Sequence, residues 1–177
     1  MKSYALKNKS VLVVREPLAR DAENMIAYAK TVGDETDLLT FNAADFDITL
    51  DEEIELIHRF NSDRINLCML GIINEKIVSM LSTRTSKRPR LRHASEFGIS
   101  VLKNEWNNGI ARIMITEMIS RLKQNGTTTK INLKVLVHNT NAIKLYTSLG
   151  FRIEGRLVND FKLNDSYSDC YCMGLII

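Results

Sequence analysis

V-L-K-N-E-W-N-N-G-I-A-R, residues Val101–Arg112, joins a strand-like run over Glu96–Leu102 to a helix-like run over Ile110–Lys123. A turn rich in Asn and Gly that opens a helix exposes several backbone N–H groups in one direction, and the helix dipole adds positive charge there. The turn lacks the G-x-G-x-x-G of dinucleotide-binding folds and the G-K-[ST] of nucleoside triphosphate loops. The pattern indicates a phosphate site, although by itself it also fits an ordinary strand-to-helix connection.

A second stretch, Asn139–Gly155, reads N-T-N-A-I-K-L-Y-T-S-L-G-F-R-I-E-G. Together the two stretches resemble the GNAT family of N-acetyltransferases. That family has R/Q-x-x-G-x-G/A opening a helix after a strand, and further on N-x-x-A-x-x-L-Y-x-x-x-G-F, often followed by x-x-E-G. The second block matches at every motif position. The first departs where Trp106 replaces Arg or Gln, but it keeps the spacing of Gly109 and Ala111, so the backbone part of the site is retained.

Hydrophobic periodicity predicts the element order β-α-α-β-β-β-α-β-α-β-β. The predicted strands are Ser10–Arg15, Asn66–Ile73, Lys76–Thr83, Arg90–Leu102, Lys130–Val137, Phe151–Leu163 and Ser168–Ile176. A Thr49–Glu52 capping box predicts the start of the second helix. Helices between the later strands imply crossovers, and hairpins imply antiparallel pairs, so a mixed α/β sheet follows. The resemblance implies the GNAT fold over residues 1–177, one domain with a central mixed, mostly antiparallel sheet of about seven strands flanked by four helices.

Composition narrows the class of protein. A net charge of +3 over 177 residues is too small to indicate a nucleic acid partner. No run approaches the roughly 18 consecutive apolar residues of a membrane span, and the polar N-terminus does not read as a secretory signal. The three cysteines, Cys68, Cys170 and Cys172, indicate free thiols in the cytosol, and no His–Cys spacing fits zinc. We therefore expect a cytoplasmic protein with no metal, nucleic acid or membrane partner.

The resemblance implies that acetyl-CoA is the co-substrate. Ile99, Ser100 and Val101 would offer backbone groups to the pantetheine arm, which would lie like an added strand. The helix-opening turn would surround the pyrophosphate, and Arg112 would add positive charge. The residues of this turn are Trp106, Asn107, Asn108, Gly109, Ile110, Ala111 and Arg112. Asn139 or Asn141 would contact the coenzyme as the motif's Asn, and Asn141 could equally be a helix cap.

Two residues are candidates for the proton transfers that amide formation needs. Tyr146, at the motif's Tyr position, is the candidate acid for the leaving thiolate, because a phenol has an ordinary pKa of about 10. The alternative is that Tyr146 is a core aromatic residue. Glu96, on the strand before the coenzyme turn, is the candidate base acting on the amine. It could instead be a solvated or ion-paired residue near Arg92, and His138 is the alternative base.

The acceptor is less well defined by the sequence. Between Thr31 and His58 there is no Lys or Arg, whereas nine carboxylates fall there. In the family the loop between the first two helices borders the acceptor site, so this stretch would attract a cationic amine. It could equally be a solvated acidic surface. The basic run Arg84–Arg92 reads as a solvated hairpin end, or as an oligomer contact.

The resemblance thus implies an N-acetyltransferase that uses acetyl-CoA and acts by direct attack. Its acceptor would be a primary amine, either a small cationic amine such as a polyamine or a protein N-terminus. The segment around Glu154, Gly155, Tyr167 and Asp169 resembles the polyamine and ribosomal-protein-alanine branches of the family. Dimerisation is usual in the family, so a homodimer is an expectation. The alternative hypothesis is a GNAT-fold module that senses acyl-CoA without turnover.

Overall fold

The computed structural model describes residues 1–163 and 165–177. Within these residues lie eight strands and four helices. The strands are β1 (Lys2–Ala5), β2 (Val11–Arg15), β3 (Cys68–Ile73), β4 (Lys76–Thr85), β5 (Ala94–Val101), β6 (Lys130–Leu136), β7 (Arg152–Leu163) and β8 (Ser166–Ile176). The helices are α1 (Ala22–Glu35), α2 (Leu50–Ser62), α3 (Ile110–Gln124) and α4 (Thr140–Ser148).

All the strands join one sheet with the order β1-β2-β3-β4-β5-β6-β8-β7. Neighbouring strands run antiparallel except β5 and β6, which run parallel. The predicted mixed, mostly antiparallel α/β sheet with its flanking helices is confirmed. The predicted capping box is also confirmed, because the Glu52 carboxylate accepts from the Thr49 N–H at 2.9 Å.

The prediction of seven strands was one strand short, because β1 was missed. Its four residues are mostly exposed and show no apolar alternation. The strand exists because it pairs with β2, from Lys2 opposite Val14 to Ala5 opposite Val11. The buried Glu117 of α3 also accepts hydrogen bonds from Lys2 and Tyr4. These partners are distant in sequence, so the local pattern gives no sign of them.

The helices cover the sheet in two layers. On the α1/α2 face, apolar residues of the two helices pack on β3, among them Met25, Tyr28, Ile57 and Leu70. On the α3/α4 face, the larger core joins α3 and α4 to residues from both halves of the sheet, including Met114, Leu133, Tyr146 and Phe151. Side chains that alternate along one strand therefore enter different cores.

The two halves of the sheet separate part-way along their shared edge. The parallel pairing of β5 with β6 covers only Ala94, Ser95 and Glu96, which lie opposite Lys130, Ile131 and Asn132. β5 continues to pair with β4 as far as Val101, and β6 continues to pair with β8 as far as Leu136. The sheet is therefore split between residues 97–101 and 133–136. We call this gap the β5–β6 opening.

Candidate active site

Alternate residues of β5 direct their backbone groups into the β5–β6 opening. The Leu102 N–H donates to the Val78 carbonyl at 3.0 Å, and the Ser100 carbonyl accepts from the Ser79 hydroxyl at 2.8 Å. Ser100 and Leu102 thus face β4. The intervening Ile99 and Val101 face the opening, because hydrogen-bonding direction alternates along a strand.

The three residues predicted to contact the pantetheine arm therefore differ in what they present. Ile99 and Val101 have backbone groups at the opening, whereas the Ser100 hydroxyl lies 2.9 Å from the Tyr28 hydroxyl on the α1/α2 face. The Val101 carbonyl already accepts a hydrogen bond from the Trp106 indole N–H at 2.7 Å. Trp106, which replaces the motif's Arg or Gln, thus ties the turn to the end of β5 while its side chain remains exposed.

The turn before α3 presents unpaired amides at its surface. Gly109 precedes the helix with φ +89°, and a methyl group placed on it would meet no atom within 4 Å. The first bond of the helix runs from the Ile113 N–H to the Gly109 carbonyl. The N–H groups of Ile110, Ala111 and Arg112 therefore lack acceptors within the helix. An open surface with several amides at a helix N-terminus fits a phosphate group.

The other predicted residues of the turn have neighbours of their own. Asn107 is exposed and has φ +63°. The Asn108 side chain donates to Glu105 at 3.2 Å and accepts from the Asn8 N–H at 3.4 Å, which connects the β1–β2 hairpin to the turn. The Arg112 guanidinium donates to the Ser148 hydroxyl at 2.7 Å and so links the first turn of α3 to the end of α4.

Helix α4 follows β6 across the opening and begins at the motif's Asn. The Asn139 side chain accepts from the Ala142 N–H at 3.2 Å, so Asn139 is the cap of this helix. Asn141 is an exposed residue of its first turn. The cap that was considered for Asn141 is thus formed by Asn139, and Asn141 has its side chain at the surface.

Tyr146 lies on α4 beside the opening. Its ring packs against Phe97, the first β5 residue beyond the β6 pairing, and against Phe151, with 6.0 Å between ring centroids in each case. In the described residues no buried side-chain oxygen or nitrogen lacks a hydrogen-bond partner, and the Tyr146 hydroxyl makes no hydrogen bond there, so it reaches the surface. Burial raises the pKa of Tyr146 to about 12. The phenol therefore carries its proton at neutral pH.

Glu96 lies where the opening begins, opposite Asn132. Its side chain projects on the α1/α2 face, opposite to Phe97, and is 45% exposed. Its ion-pair partner is the Arg84 guanidinium at 3.8 Å, not Arg92, which precedes β5. The structure thus places the candidate base and the candidate acid beside the same opening but on its two faces. His138, the alternative base, is exposed beyond the end of β6.

Two cations beside Glu96 were not assigned to the site from the sequence. Arg84 was grouped with a solvated basic run, and Lys134 was given no role. Strand register places both near Glu96, because Arg84 lies opposite it on β4 and Lys134 follows its β6 partner Asn132 by two residues. Alternation along each strand indicated the face, but not which strands are neighbours.

Two further findings concern metal ions and membrane spans. Among the described residues, no three or more His, Cys, Asp or Glu side chains form a group that could hold a metal ion. No helix in that part of the chain has the length and apolarity needed to cross a bilayer.

Comparison with known proteins gives the family. The sequence pattern of the acetyltransferase (GNAT) family matches residues 35–151. The chain is 33% identical over 108 residues to the L-amino acid N-acetyltransferase AaaT of Escherichia coli K12, covering 61% of this chain and 67% of that protein. It is 33% identical over 79 residues to the spermidine N(1)-acetyltransferase of Vibrio cholerae. That match covers 45% of this chain and less than half of the spermidine enzyme, 46%.

Solved structures agree with the family match. An acetyltransferase of the GNAT family from Streptococcus pneumoniae superposes with a TM-score of 0.91 at 28% identity, covering 94% of this chain and 99% of that one. The yncA protein of Salmonella typhimurium, solved with its cofactor acetyl-CoA, has the same fold with a TM-score of 0.81 at 14% identity and 93% coverage of both chains. The chain therefore belongs to the GNAT family of N-acetyltransferases, enzymes whose acetyl donor is acetyl-CoA.

Proposed function

We propose that this enzyme transfers the acetyl group of acetyl-CoA to a primary amine by direct attack of the amine on the thioester. The β5–β6 opening is the observation that carries the proposal. It has open amides at one end, backbone groups of Ile99 and Val101 along its β5 edge, and a carboxylate and a protonated phenol on its two faces. We further propose that the enzyme acts in the cytoplasm and as a homodimer, as is usual in the family.

The coenzyme would be held chiefly by backbone groups. The amides of Ile110, Ala111 and Arg112 would bind the pyrophosphate, and the open surface at Gly109 would allow it to approach closely. The edge of β5 at Ile99 and Val101 would pair with the amides of the pantetheine arm in the manner of an added strand. Trp106 would hold the turn in position for both contacts. Acetyl-CoA supplies the acetyl group as a thioester.

The side chains beside the opening would move the two protons of the reaction. The amine nitrogen forms a bond to the acetyl carbon and the carbon–sulfur bond breaks, so the sulfur leaves with the electron pair. Tyr146 would give its proton to that sulfur, since its raised pKa keeps it protonated. Glu96 would take the surplus proton of the amine, directly or through water. No cysteine lies in the coenzyme turn, and the proposed reaction needs no acyl-enzyme.

The acceptor would be a small molecule with a primary amine, or a protein N-terminus. The names of the two relatives point to an amino acid and to a polyamine as the two small-molecule classes. Both classes carry a primary amine that is protonated at neutral pH, so a base must remove a proton before the nitrogen can attack.

Calorimetry with acetyl-CoA, followed by an assay of thiol release with a panel of amines, tests the proposal. We expect saturable binding and amine-dependent release of free thiol. Glu96→Gln should lower kcat by about 100-fold, the lower range for removal of a general base, while the Kd for acetyl-CoA changes little. Glu23→Gln, on the exposed start of α1, is the matched control and should keep the full rate. Binding without thiol release from any amine would instead support the acyl-CoA sensor.

A further inference from the structure

The sheet surface around Glu96 is left uncovered on the α1/α2 face. Ser82 and Arg84 of β4 and Gly98 of β5 project on the same face as Glu96, and all three are exposed. A methyl group placed on Gly98 would meet no atom within 4 Å. Their strand neighbours on the opposite face, such as Phe97, are buried. An acceptor amine can therefore reach Glu96 from this side, beside the start of the β5–β6 opening.

The charged groups on this uncovered surface include cations on both sides of Glu96. Arg84 lies at 3.8 Å on the β4 side. On the β6 side, Lys134 bonds to Asp160 at 3.0 Å. This hydrogen bond is the main cause of the raised pKa of Lys134, and the charge of Glu96 adds to it. Lys134 is thus engaged by its own carboxylate, whereas the described contacts of Arg84 amount to one long ion pair.

Arg84 is poorly explained by a role in stability. Its side chain is 89% exposed, and 3.8 Å is longer than a hydrogen bond. An exposed pair of this kind contributes little to folding. A guanidinium does, however, present paired N–H donors that match the two oxygens of a carboxylate.

We propose that the acceptor carries a carboxylate next to its primary amine, as an α-amino acid does, with the amine at Glu96 and the carboxylate at Arg84. This inference rests on the proposed function, because it assigns the acceptor of the same site. The carboxylate of Glu96 and the guanidinium of Arg84 match the positive and the negative group of a zwitterion. A polyamine would instead bring a second positive charge toward Arg84, where like charges repel.

The surroundings of Arg84 favour a negative group as well. A groove of about 570 Å³ at the end of α2 is lined by Arg59, Arg64 and Lys87. Asn66, another lining residue, accepts from the N–H of Thr85, the residue after Arg84, at 2.7 Å. The oxygens of Asp63, the acidic residue of this lining, are occupied by the N–H groups of Ile65 and Asn66 and by the Asn66 side chain. Asp63 is the one carboxylate against three cations in this lining, so the groove keeps a net positive charge.

The nine-carboxylate stretch predicted to attract cationic amines forms a different surface. Three of its members, Asp45, Asp47 and Glu52, line a second groove with Ile48 and Arg59, and Arg59 is also part of the groove at the end of α2. In this proposal the acidic stretch is not the part of the site that recognises the acceptor.

Matched pairs of acceptors test the proposal. Thiol release from acetyl-CoA would be measured with the standard L-amino acids, with their primary carboxamides, and with spermidine. We expect at least one amino acid to be used with a kcat/KM on the order of 10- to 100-fold above that of its carboxamide, as for a charge-assisted hydrogen bond. Spermidine should be a poorer acceptor than that amino acid.

Substitution of Arg84 assigns the preference to this side chain. Arg84→Gln should reduce the ratio of acid to carboxamide to near unity by raising KM for the acid, and Arg84→Lys should keep part of the ratio. Arg90→Gln, at an exposed arginine before β5, should keep all of it. Any effect of the substitution on Glu96 acts on both acceptors, so the ratio isolates recognition of the carboxylate.

The outcomes separate this inference from the proposed function. Turnover of carboxamides or spermidine at least as fast as of the acids would overturn the inference and leave the acetyltransferase proposal standing. An acid preference that survives Arg84→Gln would overturn the role of Arg84. Acetyl-CoA binding with no thiol release from any amine would overturn the proposed function and, with it, this inference.

Discussion

Packing raises the pKa of Tyr146 above its ordinary value. The residue is only 9% exposed, and its ring contacts Phe97 and Phe151. Charge on the phenolate would be poorly solvated there, which is the cause of the pKa of about 12. A tyrosine packed in the core in this way still has a phenolic proton to donate. The two interpretations that the sequence offered for Tyr146 are thus compatible.

Tyr146→Phe tests the donor role with little change in shape. We expect kcat to fall by about 100-fold, because the thiolate then leaves without an acid, while calorimetry gives an unchanged Kd for acetyl-CoA. In the wild type the folded pKa is raised, so the phenol stays protonated below its ordinary value of about 10 and loses its proton only as the pH rises toward 12. Full wild-type turnover by the phenylalanine variant at neutral pH would remove Tyr146 from the chemistry.

At the scale of secondary structure, the turn into α3 depends on one backbone conformation. Gly109 has φ +89°, in the left-handed region that glycine adopts without strain. This geometry directs the first amides of α3 toward the open surface. Trp106, by its bond to the Val101 carbonyl, holds the other end of the turn. The turn is thus fixed at both ends before a ligand arrives.

Gly109→Ala should affect both folding and coenzyme binding. The left-handed conformation costs a residue with a Cβ about 1–2 kcal/mol, so the Tm should fall by a few degrees for a chain of this size. The methyl group would also project into the space proposed for the pyrophosphate, and the Kd for acetyl-CoA should rise. Differential scanning fluorimetry and calorimetry measure the two effects.

Gly155→Ala on β7 is the matched control for this substitution. Gly155 is not among the glycines with positive φ, and a methyl group placed on it would meet no atom within 4 Å, so both the Tm and the Kd should stay near the wild-type values. Wild-type affinity in Gly109→Ala would argue against a pyrophosphate at this turn.

At the scale of the whole molecule, one buried carboxylate joins distant parts of the chain. Glu117 of α3 accepts from Lys2 at 2.8 Å, from Tyr4 at 2.9 Å and from Arg121 at 3.0 Å. Arg121 also bonds to Glu16, just beyond β2, at 2.8 Å. The edge strand β1 is therefore fastened to the helix that carries the proposed coenzyme site.

Low pH should weaken the hydrogen bonds between the Glu117 carboxylate and its partners. Burial raises the pKa of Glu117, but the hydrogen bonds from Lys2, Arg121 and Tyr4 outweigh it, so the net pKa is lowered. A lowered folded pKa means that the stabilisation is present above the ordinary value of about 4.3 and is lost as the pH falls through the folded pKa. Glu117→Gln should lower the free energy of unfolding at pH 7 by about 1–3 kcal/mol and make its decline in acid shallower.

Urea denaturation at neutral and acidic pH measures both effects, and Glu23→Gln again serves as the exposed control. An equal acid dependence in the wild type and in Glu117→Gln would show that other carboxylates control the stability of the fold in acid.

Much of the fold is encoded in local patterns. Alternation predicted the strands from β2 to β8, and the Thr49–Glu52 box predicted the start of α2. The motifs around Gly109 and Tyr146 indicated the family and its donor. These features are readable because periodicity, caps and turns depend on residues that are neighbours in sequence.

Only the tertiary structure decided how these elements meet. Strand β1 forms because it pairs with β2 and because Lys2 and Tyr4 donate hydrogen bonds to Glu117. The β5–β6 opening follows from pairing that stops at Glu96, and Arg84 stands beside Glu96 because of the register of two antiparallel strands. The physical reason is that alternation identifies the face of a strand but not its neighbours or its register, which depend on how the whole core packs.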